Sequence, residues 1–231
     1  MSILECKGLT KTFGGAPALD HVDLSIEPGH IIGLLGPNGS GNTTLFKLAN
    51  GLLTPTAGSV TISGFAPGPQ SKALVSYLPE RMALPDWMTT KQALDYYQDF
   101  FADFRREQAE TMIRNLGLQL NQRIKTMSKG TKEKLQLILT MSREARLYLL
   151  DEPIGGVDPA TRDYILRTII GNYNENASII ISTHLISDVE QVLDEVLFLQ
   201  NGRIVLHDTV DAIRNEKGTS VDALFREVFR C

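Results

Sequence analysis

Cysteine is almost missing from the 231 residues: Cys6 and Cys231 stand near opposite ends, and no Cys or His is spaced for metal binding. That excludes a disulfide scaffold and a structural zinc site, and it points to a reducing cytosol. Long apolar runs are missing too. Segments such as Ile31–Leu35 and Ile179–Ile181 fall far short of the ~20 residues a membrane-spanning helix needs. The N-terminus shows no basic stretch followed by an apolar one, so no signal peptide is expected. There is no surplus of basic charge: 23 Lys and Arg stand against 27 Asp and Glu, a net charge of −4. A protein that coats nucleic acid needs a clustered basic surface, so nucleic acid is not an expected partner. With 42% hydrophobic and 22% charged residues, disorder and collagen-like repeats are excluded as well. What is present in quantity is glycine, 19 residues with 10 prolines, several of them in short clusters.

Short β-branched runs alternate with helical patterns, which predicts an α/β fold with a mostly parallel core sheet. Ile31–Leu35, Leu147–Leu150 and Ser178–Ser182 have the length and continuous apolarity of buried strands. Leu19–Ile26 alternates instead, and with Gly58–Ser63 it predicts a half-exposed antiparallel β subdomain. Between Thr89 and about Ser142 no strand signal appears. Leu94, Tyr97, Phe101 and Phe104 follow helical spacing, and Met112, Ile113 and Leu116 repeat it before Gly117 ends the run. A helical subdomain over about 84–142 is expected, inserted in a single domain spanning 1–231. Its aromatics are expected to pack in a core. Gln200-Asn201-Gly202-Arg203 marks a hairpin, and Val221–Phe229 an amphipathic closing helix.

The chemistry concentrates in a few segments. Gly36-Pro37-Asn38-Gly39-Ser40-Gly41-Asn42-Thr43-Thr44 follows a buried strand and opens a helix. There, backbone N–H groups and a helix N-terminus face phosphate oxygens, and Thr43 offers a hydroxyl to Mg²⁺. The full phosphate-loop pattern has Lys where this chain has Asn42, so the loop by itself also suits a plain glycine-rich turn. Asp151 ends a buried strand, placed to hold Mg²⁺, and Glu152 beside it is placed to act on an attacking water. Met127-Ser128-Lys129-Gly130-Thr131 precedes a helical run, and Gly155-Gly156-Val157-Asp158 and Ser182-Thr183-His184 follow the acids.

In this order and spacing the segments resemble the nucleotide-binding subunit of an ABC transporter, from Leu9-Thr10-Lys11-Thr12-Phe13-Gly14 to the C-terminal hairpin. The resemblance implies a phosphate-loop ATPase of ABC type. It gives Gly36 to Thr44 the nucleotide phosphates, and Thr43 and Asp151 the Mg²⁺. Glu152 becomes the carboxylate that orients and deprotonates water, and His184 the contact to the γ-phosphate. Phe13 takes the place of an aromatic that stacks on adenine, although a Phe packed before the Gly14-Gly15 turn fits the residues nearly as well. Ser128 and Gly130 resemble the signature that caps the γ-phosphate bound to a second subunit, and Asp158 a residue of the dimer seam. ATP and Mg²⁺ are therefore the implied cofactors. The implied partners are a transmembrane transporter subunit and a second ATP-binding subunit, identical or different. The implied location is cytoplasmic, on the inner face of the membrane through the transmembrane partner.

Three departures from the family pattern stand out. Lys129 and Thr131 replace residues of the most familiar signature form, but the Ser-Lys-Gly version at 128–130 occurs in the drug- and peptide-exporter branch and leaves the phosphate contacts possible. Glu80, in Tyr77-Leu78-Pro79-Glu80, replaces a Gln at the Mg²⁺ site, where a carboxylate can still ligate the metal or its water. Asn42 removes the cation that faces the β- and γ-phosphates during transfer. A hydrogen bond to a charged group is worth about 1.5–3 kcal/mol, so hydrolysis is expected to suffer heavily and nucleotide affinity less. The segment Leu84-Pro85-Asp86-Trp87-Met88 suits either a docking surface for the membrane partner or a packed core. Two other functions fit parts of the pattern. One is a catalytically silent nucleotide sensor, favoured by Asn42. The other is a non-transport ATPase of the same superfamily, which would carry a long coiled coil or a second cassette that this chain does not have.

Overall fold

The computed structural model describes residues 2–171 and 176–229. A six-stranded sheet carries the site. Its strands are β3 (Ile31–Leu35), β5 (Val75–Leu78), β6 (Leu147–Asp151), β7 (Ser178–Thr183), β8 (Glu195–Gln200) and β9 (Arg203–Thr209), in the order β5-β6-β7-β3-β8-β9. All neighbours pair in parallel except β8 with β9. The predicted hairpin joins that pair: Asn201 and Gly202 have φ of 50° and 76°, the left-handed pair a tight primed turn requires.

A second, three-stranded sheet is antiparallel. β1 (Leu4–Thr12) lies between β2 (Pro17–Ile26) and β4 (Ala57–Ile62). Along β2, Leu19, Val22, Leu24 and Ile26 are buried while His21, Asp23 and Ser25 face out, the period-two pattern of a one-sided sheet. β1 itself, the central strand, was not foreseen as a strand, because Lys7-Gly8 and Thr10-Lys11-Thr12 interrupt its apolar pattern. Short β5 and helix α2 (Pro69–Leu74) before it carry too few residues for a periodic signal and were also not anticipated.

The pleat of the large sheet divides its apolar residues between two cores. Ile32, Leu34, Leu147 and Leu149 join the layer under the small sheet and α1 (Asn42–Ala49). Ile31, Leu35, Tyr148 and Leu150 join the opposite layer, with α6 (Pro159–Gly171), α8 (Val210–Lys217) and α9 (Val221–Val228). Each fully buried Leu, Ile or Val contributes roughly 1.5–3 kcal/mol, so a register slip of one residue in these strands would be severely penalised.

Helices α3 (Thr90–Phe100), α4 (Arg106–Asn115) and α5 (Lys129–Met141) build a third core. Thr89 and Gln92 cap α3 reciprocally: the Thr89 hydroxyl accepts from the Gln92 N–H at 3.2 Å, and Gln92 Oε1 accepts from the Thr89 N–H at 2.9 Å. Tyr97 packs on Phe101 and Phe104 at 5.2 and 5.5 Å between ring centroids, the expected aromatic core. Helical spacing overreached at Phe104, however. α3 ends at Phe100, and Phe104 reaches the cluster from the turn beyond it. α5 straddles two cores, with Ile138 and Leu139 among the helices and Leu137 and Met141 against the sheet. A buried guanidinium reinforces that joint. Arg143 grips both Asp103 oxygens at 3.0 Å, donates to the Ala73 and Val75 carbonyls, and lies 4.1 Å from the centre of the Phe101 ring.

Among the described residues no helix is long and apolar enough to cross a membrane. Cys6 is a free, buried thiol that burial pushes up to about 12; Cys231 lies outside the described residues.

Candidate functional site

Parallel strands deliver their loops to one edge of a sheet, and ligands of such sheets bind beyond the carboxyl ends of the strands. Here β6, β7 and β3 are neighbours, so the turns after Asp151, Thr183 and Leu35 meet. From β3 the chain turns through residues 36–41 into α1. Gly41 has φ +117°, and a β-carbon there would come within 2.5 Å of the Ala18 carbonyl oxygen, so no other residue fits. Two bonds pin the turn: Ser40 N–H donates to Pro37 O and Gly202 N–H to Ser40 O, both at 3.0 Å. No side chain caps the N-terminus of α1, which leaves its first N–H groups and positive dipole end for an anion. The loop from Gly36 to Thr44 lines a cavity of about 570 Å³, together with Glu80, Asp151, Glu152, Ser182 and His184.

Asp151 is almost fully buried at the end of β6. Its Oδ1 accepts from Ser182 Oγ at 2.7 Å and Thr43 Oγ1 at 3.2 Å, and its Oδ2 from the Tyr77 hydroxyl at 3.4 Å. Burial pushes its carboxyl above the ordinary carboxylate value, and the Ser182 and Thr43 bonds pull part of the way back. Glu152 follows with φ +50°, a strained conformation for a residue with a side chain, costing about 1–3 kcal/mol. Its N–H donates to Ser182 O at 3.0 Å, which fixes that turn. One carboxylate oxygen meets His184 Nδ1 at 3.1 Å; the other, Oε2, is buried with no partner. Burial again raises the carboxyl, opposed by the His184 contact. A proton acceptor held by a histidine, with a free buried oxygen, suits a base that takes a proton from water.

Asn42 occupies the first turn of α1. Its Nδ2 donates to Leu34 O and its Oδ1 accepts from Ser40 Oγ, both at 3.4 Å, long enough to be weak. No Lys or Arg of the loop replaces its missing charge. Within the two other expected binding segments, Lys129, Gly155 and Gly156 line the cavity, whereas Ser128, Gly130 and Asp158 do not. Ser128 caps α5, its hydroxyl accepting from Thr131 N–H at 3.2 Å, so the signature-like segment is the first turn of that helix rather than a lead-in to it. Gly130 follows within the same turn. Asp158 binds Thr161 N–H and Thr161 Oγ1 at 3.0 and 2.7 Å at the start of α6. Phe13 is 63% exposed, with Lys11 Nζ 5.1 Å above its ring. Glu80 is exposed at the cavity edge after β5. The Trp87–Met88 pair divides: Trp87 is 64% exposed, and Met88 is buried in the helical core.

Sequence reasoning passed over three cavity or site groups. Ser182 lies opposite Asp151 in the β6–β7 register, a pairing visible once the two strands are aligned. Tyr77 reaches Asp151 from β5, which gave no strand signal. Lys129 and Glu133, one helical turn apart, both line the cavity.

The donors present fit a nucleoside triphosphate with Mg²⁺. The Thr43 hydroxyl and the Asp151 carboxylate are adjacent hard oxygens, and Gly41 lets the loop pass close to the Ala18 carbonyl. Among the described residues no cluster of three or more His, Cys, Asp or Glu could hold a metal ion by itself. The sheet order, the glycine turn at a helix N-terminus and the two successive acids define a mononucleotide-binding α/β protein of the ATPase class.

Comparison with known proteins narrows the class. Residues 19–155 match the ABC transporter family. An uncharacterized ABC transporter ATP-binding protein of Bacillus subtilis (strain 168), YhaQ, is 32% identical over 219 residues, covering 91% of this chain and 72% of YhaQ. A solved structure of the ATP-binding subunit of an ABC transporter superposes with a TM-score of 0.89 at 28% identity, covering 99% of this chain and all of that one. The fold is shared as well, at a TM-score of 0.78 and 18% identity over 89% of this chain and 98% of the other, with a dimeric ATP-binding cassette solved in a post-hydrolysis state bound to ADP and Pi. The chain belongs to the ABC transporter family, as an ATP-binding subunit.

Proposed function

We propose that this chain couples ATP to transport: it binds MgATP over Gly36 to Thr44, pairs head-to-tail with another ATP-binding subunit, and drives a separate transmembrane subunit from the cytoplasmic face. It is a single ABC ATP-binding domain over residues 1–231, with the helical segment 84–142 facing the membrane partner and exposed Trp87 at its surface. Its Ser-Lys-Gly signature favours the exporter branch.

The chain's residues divide the work. The N-terminus of α1 binds the phosphates. Thr43, Asp151 and Glu80 are the side chains that hold Mg²⁺, which when bound neutralises phosphate charge. Glu152 orients a water and takes its proton, with His184 holding the carboxylate and meeting the terminal phosphate. Phe13 offers a π-face to the base. Ser128, Gly130 and Asp158, all outside this chain's own cavity lining, serve the seam with the second subunit.

One observation carries the reading. Thr43, Asp151, Glu152 and His184 are joined by a continuous set of contacts through Ser182, while position 42, where the phosphate-loop pattern has Lys, holds a neutral amide. Hydrolysis in this chain is therefore impaired and binding is retained. The test is MgATP affinity and steady-state phosphate release for the chain and for Asn42→Lys. Turnover only in the lysine variant supports a transporter ATPase weakened at one residue. Binding without turnover in either points instead to a nucleotide sensor or to a catalytic partner chain still missing.

A further inference from the structure

Three backbone segments meet at close range around the phosphate loop: the loop itself, the start of β2 at Ala18–Asp20, and the turn from β8 to β9. Gly202 of that turn stands between the other two. Its N–H donates to Ser40 O at 3.0 Å, and its carbonyl accepts from the Asp20 N–H at 2.9 Å. Arg203 ties the same junction, reaching Asp20 Oδ2 at 2.8 Å through Nε and at 2.6 Å through Nη2. Asp20, Gly202 and Arg203 are not in the cavity lining, so they reach the site through the loop.

The junction has no slack. A β-carbon on Gly202 would stand 2.8 Å from Ala18 O and 2.9 Å from Leu19 Cα, one on Gly41 2.5 Å from Ala18 O, and one on Gly36 would overlap Leu199 O. The side chains of Leu19 and Leu199 are fully buried in one core, where packed atoms yield little. Ser40, which the turn holds, directly precedes Gly41 and the N-terminus of α1. The loop's N–H groups must be aimed at phosphate together, and a glycine-rich segment loses much conformational freedom when they are. A loop already held in place spares a ligand that cost. Its weight is greater here because Asn42 brings no cation, and its bonds to Ser40 Oγ and Leu34 O are weak at 3.4 Å.

We propose that Gly202 is a positioning residue of the nucleotide site: its N–H holds the phosphate loop in the form that receives phosphate, and Asp20 and Arg203 hold the turn in place. This assignment rests on the nucleotide reading above. Because the clamp acts on the loop, its loss weakens a triphosphate more than a monophosphate.

The experiment is equilibrium binding of MgATP and AMP to the full chain, to Gly202→Ala and to Gly218→Ala. Protein concentrations are held where sedimentation shows a monomer, and thermal melts confirm folding. Gly218, at the end of α8, is the control. Its φ is +62° against +76° at Gly202, so alanine strains the backbone similarly, but nothing stands within 4 Å of a β-carbon there. Loss of the bond to Ser40 predicts about five- to tenfold weaker MgATP binding for Gly202→Ala. AMP binding, and both ligands with Gly218→Ala, should stay within about twofold. Unchanged MgATP affinity, an equal loss for MgATP and AMP, or a matching loss in Gly218→Ala overturns the assignment while leaving the nucleotide site standing. Amide hydrogen exchange tests the same point on the unmodified chain. By linkage, bound MgATP slows exchange at Gly202 more than at Val210, whose N–H donates to Asp194 O just past the far end of β9; equal slowing overturns the assignment. An unmodified chain that binds no MgATP overturns the nucleotide reading and this assignment with it.

Discussion

Arg143→Met tests how the helical segment is held to the sheet that carries the site. The guanidinium side chain is 4% exposed and its partner Asp103 25%. Its loss strands the Asp103 carboxylate and two backbone carbonyls, Ala73 O just before β5 and Val75 O at its start. Breaking a buried pair by removing one member costs about 3–5 kcal/mol. Part of Asp103 can rehydrate, and Met retains some of the contact with Phe101, so the lower end is expected, about 3 kcal/mol. With a urea slope of roughly 3 kcal/mol per molar, that lowers the unfolding midpoint by about 1 M at unchanged slope. Arg143→Met with Asp103→Leu removes the stranded carboxylate and is expected to recover about half the loss, since the two carbonyls stay unpaired. A midpoint shift below about 0.3 M for the single variant would refute the claim that this guanidinium clamps the joint.

Asp151→Asn is expected to raise the melting temperature of the nucleotide-free chain at pH 8 while abolishing Mg²⁺-dependent nucleotide binding. The raised native pKa of Asp151 means the native state keeps its proton to higher pH than the unfolded chain does. The associated stability is full below the ordinary carboxylate value and lost as pH rises through the raised one, so the Asn advantage should fade at pH 4; melts at the two pH values decide. Glu152→Gln in the Asn42→Lys background should cut phosphate release by about a hundredfold or more with MgATP binding retained, checked by paired binding and turnover assays. For the exposed Trp87 an Ala substitution should change stability by less than about 0.5 kcal/mol. At buried Met88 the same change should cost about 2–3 kcal/mol, and urea titration separates surface from core.

Legibility in the sequence followed burial. β3, β6 and β7 are buried at every position, so their apolar runs needed no context to be seen. The hairpin turn was as plain, since Asn-Gly has few other uses. β1 and β5 were missed for the opposite reason. β1 bends at Gly8 with register shifts along both its pairings, and β5 spans four residues whose burial comes from neighbours far away in sequence. Trp87 and Met88 are adjacent and alike in hydrophobicity, so only the packing of the helices separates the exposed one from the buried one.

The site shows the same division in its chemistry. Thr43, Asp151, Glu152 and His184 announce themselves because each stands at the end of an apolar strand or in a glycine turn, where a polar residue has no packing reason to be. Lys129 and Glu133 send no such signal, being charged residues of the kind that a helix exposes to solvent. They come to the cavity lining through tertiary placement, with the first turns of α5 docked at the cavity. The sequence exposes the lost charge at Asn42 directly. The joint that Arg143 closes is part of the docking of α5. It binds the chain just after α5 to the start of β5, so the stability measured there also bears on how firmly α5 is held beside the cavity.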